Sequence, residues 1–187
     1  MVSVTSLWLP ILLSAVAVFV ASSIIHMVLP YHRNDFTKLP DEDGVLAALR
    51  KSAVMPGDYM FPKPDNMKAM KDPAFLKRWA EGPVGMMTVM KKAEAPSMGK
   101  PLALWFLFCV VVSVFAACVA GSALPTNSPF GSVFHFAALT AFVAHGLGLW
   151  PTTIWYGRSW TTSLKSAIDG LIYALVTGAV FGWLWPK

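Results

Sequence analysis

This chain contains four long apolar stretches and one long polar stretch, and this pattern predicts its elements. A helix needs roughly 20 apolar residues to cross a bilayer core about 30 Å thick. Four stretches reach that length, at about residues 7–29, 102–121, 133–155 and 164–185. We therefore predict an all-α membrane protein with four transmembrane helices. Its domains are helix one (1–30), a polar insert (31–100) and helices two to four (101–187).

The polar insert has its own pattern of helix and turn signals. "LPDEDGVLAALRKS" (39–52), with Pro40 in its first turn, and "DPAFLKRWAEG" (72–82) predict two short helices. The second has Asp72 as N-cap, Pro73 after it and Gly82 as terminator. Between them, the proline-rich "MPGDYMFPKPDN" (55–66) is typical of a loop or an edge strand. "GMMTVMK" (85–91) is a candidate strand to pair with it in a small hairpin.

Small residues recur at every fourth position in two of the predicted spans. Such spacing lets helix backbones approach closely in lipid. In span four they are Gly170, Ala174, Gly178 and Gly182, and in span two Ser113, Ala117 and Gly121. We interpret both stripes as packing seams within the bundle, with a dimer interface as the alternative.

Composition and charge agree with a membrane protein and orient it. The 187 residues are 56% hydrophobic and 13% charged, against about 45–50% and about 25% in soluble domains. Residues 31–100 hold 12 of the 15 Lys/Arg, and Arg158 and Lys165 lie between spans three and four. Basic residues collect on the cytoplasmic side. We predict a cytoplasmic insert, periplasmic termini and an inner-membrane location. We predict no nucleic-acid partner, because orientation in the membrane already accounts for the net charge of +5.

Four ionisable or polar side chains inside the spans form a candidate cluster. Asp169 and Tyr173 lie four residues apart on span four, His145 lies in span three, and His26 lies near the inner end of span one. Intramembrane ionisable residues are functional-site hypotheses by default. Three interpretations remain open: a structural bracket joining spans one, three and four, a proton or ion pathway, and a ligand site. We expect Asp169 to accept hydrogen bonds from His26, Tyr173 or the 155–160 turn.

Known catalytic and cofactor motifs do not occur. The sequence has no nucleophile elbow, phosphate loop, CxxC pair or HExxH, so no catalytic residue is predicted and no motif supports an enzyme. The histidine spacing disfavours haem, and the methionines of the insert have no neighbouring His or Cys to favour copper. "HRND" (32–35) offers a metal-ligand pair, but we interpret it as a solvated interfacial turn. We predict no metal and no cofactor.

Four segments carry a resemblance to a family of small bacterial integral membrane proteins of unknown function. They are "PGDYMFP" (56–62), "GPVGMMTV" (82–89), "SMGKPLALWF" (97–106) and "AIDGLIYALVTGAVFGWLW" (167–185). The resemblance implies a bacterial inner membrane and a four-span plan. It transfers no catalytic residue.

These observations give a leading functional hypothesis and one alternative. The leading hypothesis is a non-enzymatic integral membrane protein, an accessory subunit or scaffold. Its partners would be the lipid bilayer and either further copies of itself or a larger membrane complex. The alternative is a small transporter or proton pathway that uses Asp169, Tyr173, His145 and His26. With four spans, a transporter would need to oligomerise to build a pore.

Overall fold

A computed structural model describes residues 1–92 and 95–187, and it is mostly helical. In this described part of the chain, four helical segments are long and apolar enough to cross a membrane. They are Val4–Val28, Gly99–Ala123, Phe130–Tyr156 and Trp160–Trp183. The prediction of four apolar spans is confirmed, and the observed segments start and end within a few residues of the predicted ones.

The described chain divides into two compact units. The helical bundle consists of Met1–Asp35, Ser97–Ile154 and Arg158–Lys187, and the second unit of Phe36–Pro96 and Trp155–Gly157. The elements in chain order are α1 (Trp8–Ser23), α2 (Glu42–Lys51), β1 (Gly57–Phe61), α3 (Pro73–Glu81), β2 (Gly85–Val89), α4 (Gly99–Ala123), α5 (Phe130–Gly146), α6 (Trp150–Tyr156) and α7 (Trp160–Trp183).

In the bundle, α1 packs on α4 and α7, and α5 packs on the same two helices. The contact between α5 and α7 is the most extensive, and glycines of α7 make it close. A Cβ added to Gly170 would lie 2.5 Å from the Gly146 Cα, and one added to Gly178 would lie 2.8 Å from the Ala138 Cβ. The span-four stripe therefore lies against α5.

The span-two stripe lies against a different partner, the first helix. Ser113 and Ser14 share a buried hydrogen bond of 2.9 Å between α4 and α1. Nearer the end of α4, the Val2 amide donates to the Gly121 carbonyl at 2.8 Å. A Cβ on Gly121 would lie 2.6 Å from the Val2 carbonyl oxygen. The two stripes are thus two separate seams of one bundle.

Apolar side chains fill the end of the bundle that holds the N-terminus of α1 and the C-terminus of α7. Leu7 and Phe181 are fully buried there, together with alanines of α4 and α5, and Trp185 is almost fully buried. The Trp185 indole N–H donates to the Pro125 carbonyl at 2.9 Å. This end is a packed hydrophobic core.

The second unit contains the predicted hairpin and the predicted helices. β1 and β2 are antiparallel, with Gly57 paired to Val89 and Phe61 to Gly85, which confirms the strand pairing. In α3, Asp72 accepts from the Ala74 amide at 2.7 Å and Gly82, at φ 59°, ends the helix as predicted. In α2, Asp41 is the N-cap. Pro40 therefore precedes α2 instead of lying in its first turn as expected.

The third span is interrupted before its proline. α5 ends at Gly146 and α6 begins at Trp150, so Pro151 lies in the first turn of a new helix. A proline is tolerated there because an N–H at that position has no helical partner. The expected break near Pro151 is present, and it falls on the N-terminal side of the proline.

Candidate functional site

The site begins where α1 ends and the chain turns back toward α7. After α1, Ile24–Val28 forms a wider π-helical turn, and Leu29 is extended at ψ 136°. Pro30 enforces this, because a residue before proline avoids the helical conformation and proline has no N–H to donate. A short 3₁₀ turn, Pro30–His32, follows. It places Tyr31 and His32 beside the first turns of α7.

Asp169 is the acidic residue around which these side chains gather. Its carboxylate is 5% exposed. The Tyr31 hydroxyl donates to Oδ1, and His32 Nε2 lies 2.9 Å from Oδ2. The expectation that Asp169 bonds His26, Tyr173 or the 155–160 turn is therefore wrong. Tyr31 and His32 are closer because the turn after Pro30 folds back over α7.

Asp35 forms a second acidic centre on the far side of His32. Its Oδ2 lies 2.6 Å from His32 Nδ1, and the Lys165 ammonium donates to Oδ1 at 2.7 Å. Burial by itself raises the pKa of Asp35, but the hydrogen bonds from His32 and Lys165 and the Lys165 charge outweigh it and hold this pKa below its ordinary range. Lys165 also donates to the Tyr31 carbonyl.

The first and last residues of "HRND" are consequently not solvated, whereas Arg33 and Asn34 between them are exposed. The His32 and Asp35 side chains are only 11% and 10% exposed. His32 contacts both Asp35 and Asp169, and Asp35 contacts both His32 and Lys165. The prediction was wrong because the partner of this turn, Asp169, lies 137 residues further along the chain, where a local sequence pattern gives no sign of it. We call the group made by His26, Tyr31, His32, Asp35, Lys165 and Asp169 the His–Asp cluster.

His26 is the exposed member of the His–Asp cluster. Its ring stacks on His32, with centroids 4.5 Å apart and planes at 8°. Its Nδ1 lies 3.1 Å from the Ser22 carbonyl oxygen. One ligand atom from each of His26, His32 and Asp169 lies within 4.8 Å of the other two. Two imidazoles and one carboxylate are a donor set that divalent transition metals use.

His145 and Tyr173 form a separate pair with Trp105. The His145 and Tyr173 rings are 5.4 Å apart, and Trp105 lies 5.8 Å and 6.0 Å from them. Within residues 1–92 and 95–187, the buried His145 Nδ1 and Tyr173 hydroxyl have no hydrogen-bond partner. The four predicted cluster residues therefore divide, with Asp169 and His26 in one group and His145 and Tyr173 in the other.

A cleft of about 790 Å³ connects these two groups within the bundle. Its wall is mainly apolar, with Trp105, Phe108 and Leu149 among the lining side chains. Both groups reach it, through His26 and Asp169 and through His145 and Tyr173, and Arg158 lies on its wall. The Trp105 indole N–H is held by the Ser22 hydroxyl at 2.8 Å, which orients the aromatic wall.

Sequence reasoning missed Tyr31, His32, Asp35 and Lys165 as members of the site. One local signal was present: Lys165 lies four residues before Asp169, and residues four apart share a helix face. A second was Pro30, which ends span one and requires the following residues to turn. No local signal identifies the partner of that turn.

A comparison of the chain with protein-family models, curated proteins and solved structures finds no match. In the described residues, the fold defines a helical bundle with four helices able to span a membrane. Its site is a buried ionisable cluster beside an apolar cleft. The function is therefore inferred from the chemistry of this site.

Proposed function

We propose that this protein is a non-enzymatic multi-pass membrane protein that binds a small amphipathic molecule in the cleft, as an accessory subunit or scaffold of a membrane assembly. One observation carries the proposal. The Tyr173 hydroxyl and His145 Nδ1 are buried, border an apolar cleft, and lack a partner among the described residues.

The energetics favour a ligand at this position. A buried polar group without a hydrogen bond costs about 1–3 kcal/mol. A bound carbonyl or hydroxyl group would offset that cost by pairing with Tyr173 or His145. The cleft volume of about 790 Å³ lies in the range of about 300–1,000 Å³ that ligand sites occupy. The Trp105 and Phe108 rings favour a planar head group, so we infer a quinone-like molecule with an apolar tail.

The alternative is a transporter or proton pathway through Asp169, Tyr173, His145 and His26. Two features support binding over conduction through a single bundle. Among the described residues, hydrogen bonding does not continue from Asp169 to Tyr173, because the tyrosine hydroxyl has no partner. The opposite end of the bundle is filled by apolar side chains around Leu7 and Phe181.

We further propose a bacterial inner membrane, a cytoplasmic insert and periplasmic termini. The basic residues support this orientation, since Arg33, Lys100, Arg158 and Lys165 all belong to the two proposed inner segments. In this orientation the His–Asp cluster lies at the cytoplasmic end. The assembly would be a homo-oligomer or a larger membrane complex in the lipid bilayer.

The test is a titration of the purified protein in detergent with decyl-ubiquinone, in the presence of EDTA. We expect saturable binding that raises Tm in wild type. Tyr173→Phe removes only the unpartnered hydroxyl, so the unliganded variant should be more stable by about 1 kcal/mol. Its affinity for the probe should fall about tenfold, which corresponds to about 1.4 kcal/mol. Tyr156→Phe, an exposed tyrosine outside the cleft, should change neither quantity.

Two results would contradict the proposal. One is a loss of stability in unliganded Tyr173→Phe, which would mean that the hydroxyl already has a partner. The other is equal affinity of the wild type for decyl-ubiquinone and for decane, which has no head group. The cleft would then hold only lipid tails.

A further inference from the structure

The hydrogen bonds around the two cluster histidines limit where their ring protons lie. His26 Nδ1 faces the Ser22 carbonyl at 3.1 Å, and a carbonyl only accepts, so Nδ1 donates. Each ring nitrogen of His32 faces a carboxylate oxygen, Nδ1 that of Asp35 at 2.6 Å and Nε2 that of Asp169 at 2.9 Å. A neutral imidazole has one N–H and one unprotonated nitrogen. His26 therefore has Nε2 available as a ligand atom, and His32 presents Nε2 as a ligand atom when its Nδ1 donates to Asp35.

When Nδ1 of a neutral His32 donates to Asp35, its Nε2 is left facing another acceptor. It lies 2.9 Å from Asp169 Oδ2, a carboxylate oxygen, so two electron pairs oppose each other unless a positive charge lies between them. That charge is a second proton, carried by His32 or by Asp169 Oδ2, or a cation. A second proton explains the pairing of His32 with Asp35 and Asp169. It involves neither nitrogen of His26, although a ligand atom of His26 also lies within 4.8 Å of His32 and Asp169.

A metal ion accounts for all three groups. We propose that His26, His32 and Asp169 form a binding site for a divalent transition metal ion of the Zn²⁺ class. Two imidazoles and a carboxylate match that class, whereas Mg²⁺ and Ca²⁺ prefer oxygen ligands. Three protein ligands leave at least one coordination position for water or another ligand.

The groups behind the three ligands support the same assignment. Metal-bound histidines generally donate their second N–H to a carbonyl or a carboxylate, and metal-bound carboxylates accept further hydrogen bonds. Here the Ser22 carbonyl holds His26, Asp35 holds His32, and the Tyr31 hydroxyl donates to Asp169. Lys165 fixes Asp35 in turn. Each proposed ligand thus has an orienting partner.

The spacing requires only a side-chain adjustment. Ligand atoms about 2.1 Å from a tetrahedral ion are about 3.4 Å apart, and here they lie within 4.8 Å of one another. The His26 ring stacks parallel to His32, so it must turn out of the stack to aim Nε2 at a shared ion. Because His26 is exposed, this turn leaves the core undisturbed. Because His26 and Asp169 also line the cleft, the site stands beside the proposed ligand position but does not depend on it.

The test is a titration of the full chain in detergent, without a histidine tag and stripped of metal, with Co²⁺ as the spectroscopic probe. We expect one Co²⁺ per chain, the visible d–d absorption of a four- or five-coordinate ion, and displacement by Zn²⁺ but not by Mg²⁺. His26→Ala should weaken binding at least tenfold without loss of fold, since its side chain is exposed. Asp35→Asn should weaken it about tenfold to hundredfold while keeping one site. His135→Ala, an exposed histidine of α5, is the matched control and should leave binding unchanged.

The proposal is overturned if wild type binds no Co²⁺, if His26→Ala binds as tightly as wild type, or if His135→Ala weakens binding as much as His26→Ala. In the first two cases protons alone join His32 to the two carboxyl groups. The metal titration contains no quinone and the quinone titration contains EDTA, so either proposal can fail while the other stands.

Discussion

Asp35 shows at the scale of single residues how the bundle stabilises a largely buried charge. Its two carboxylate oxygens are shared between His32 and Lys165, and its side chain is 10% exposed. Removing one partner of a buried ion pair leaves an uncompensated charge, which costs more than the pair contributes when intact. The Lys165 side chain is 21% exposed, so solvent reduces this cost without abolishing it.

Lys165→Met should therefore destabilise the bundle. We expect a loss of about 1–3 kcal/mol, because Asp35 loses its charged partner and the Tyr31 carbonyl loses its donor. Lys100→Met is the control, with the same substitution at an exposed position at the start of α4, and it should stay within about 0.5 kcal/mol of wild type. Thermal unfolding in detergent, followed by circular dichroism, measures both. Equal effects of the two substitutions would mean that the Lys165–Asp35 contact contributes nothing.

At the scale of elements, α7 joins the packing of the bundle to its site. One face carries the glycines that allow α5 to approach, and the first turns carry Lys165 and Asp169. Beside Gly170 the α7 backbone nearly touches Gly146, one residue after His145. The close approach of α5 thus places His145 beside Tyr173. The contact between α5 and α7 therefore determines both the packing of the bundle and the geometry of the site.

Gly178→Ala tests that contact away from the site. The added Cβ would lie 2.8 Å from the Ala138 Cβ and 2.9 Å from the Phe134 carbonyl oxygen, so α5 must move. Such overpacking costs about 1–3 kcal/mol, and we expect Tm to fall. In Gly131→Ala, also helical, the new Cβ has nothing within 4 Å. Alanine favours a helix over glycine, so that variant should be as stable as wild type or slightly more stable. The reverse ranking would place the Gly178 face toward lipid.

At the scale of the whole molecule, the bundle has one polar end and one apolar end. The His–Asp cluster occupies the end that holds the C-terminus of α1 and the first turns of α7. The packed core of Leu7, Phe181 and Trp185 occupies the other. Charged side chains follow the same division, since Lys187 is the sole Lys or Arg beyond residue 165. Under the positive-inside rule, this asymmetry favours the proposed orientation.

Reporter fusions at residues 66 and 127 test the orientation. Residue 66 lies in the polar insert and residue 127 in the loop between α4 and α5. We expect a cytoplasmic signal from the first and a periplasmic signal from the second, because 14 of the 15 Lys/Arg belong to the two proposed inner segments. Paired reporters, each active on one side only, provide internal controls. A periplasmic signal at 66 with a cytoplasmic signal at 127 would invert the proposed topology.

What the sequence by itself determined is the set of features that local rules govern. The apolar length of each stretch predicted the four spans, because a bilayer requires that length. Asp72, Pro73 and Gly82 predicted α3, because capping depends on atoms within a few residues. The pairing of β1 with β2 followed from two short segments with strand signals on either side of the predicted helix 72–82, the first of which was also compatible with a loop.

Only the tertiary structure decided the partners of Asp169. His32 is 137 residues away along the chain, and its approach depends on how the turn after Pro30 folds over α7. Periodicity shows which face of a helix is polar, but it carries no information about which segment will meet that face. The predicted pairing of Asp169 with Tyr173 failed for that reason. Two residues on one helix face point outward side by side, and the hydrogen bonds go to whichever segment packs against them.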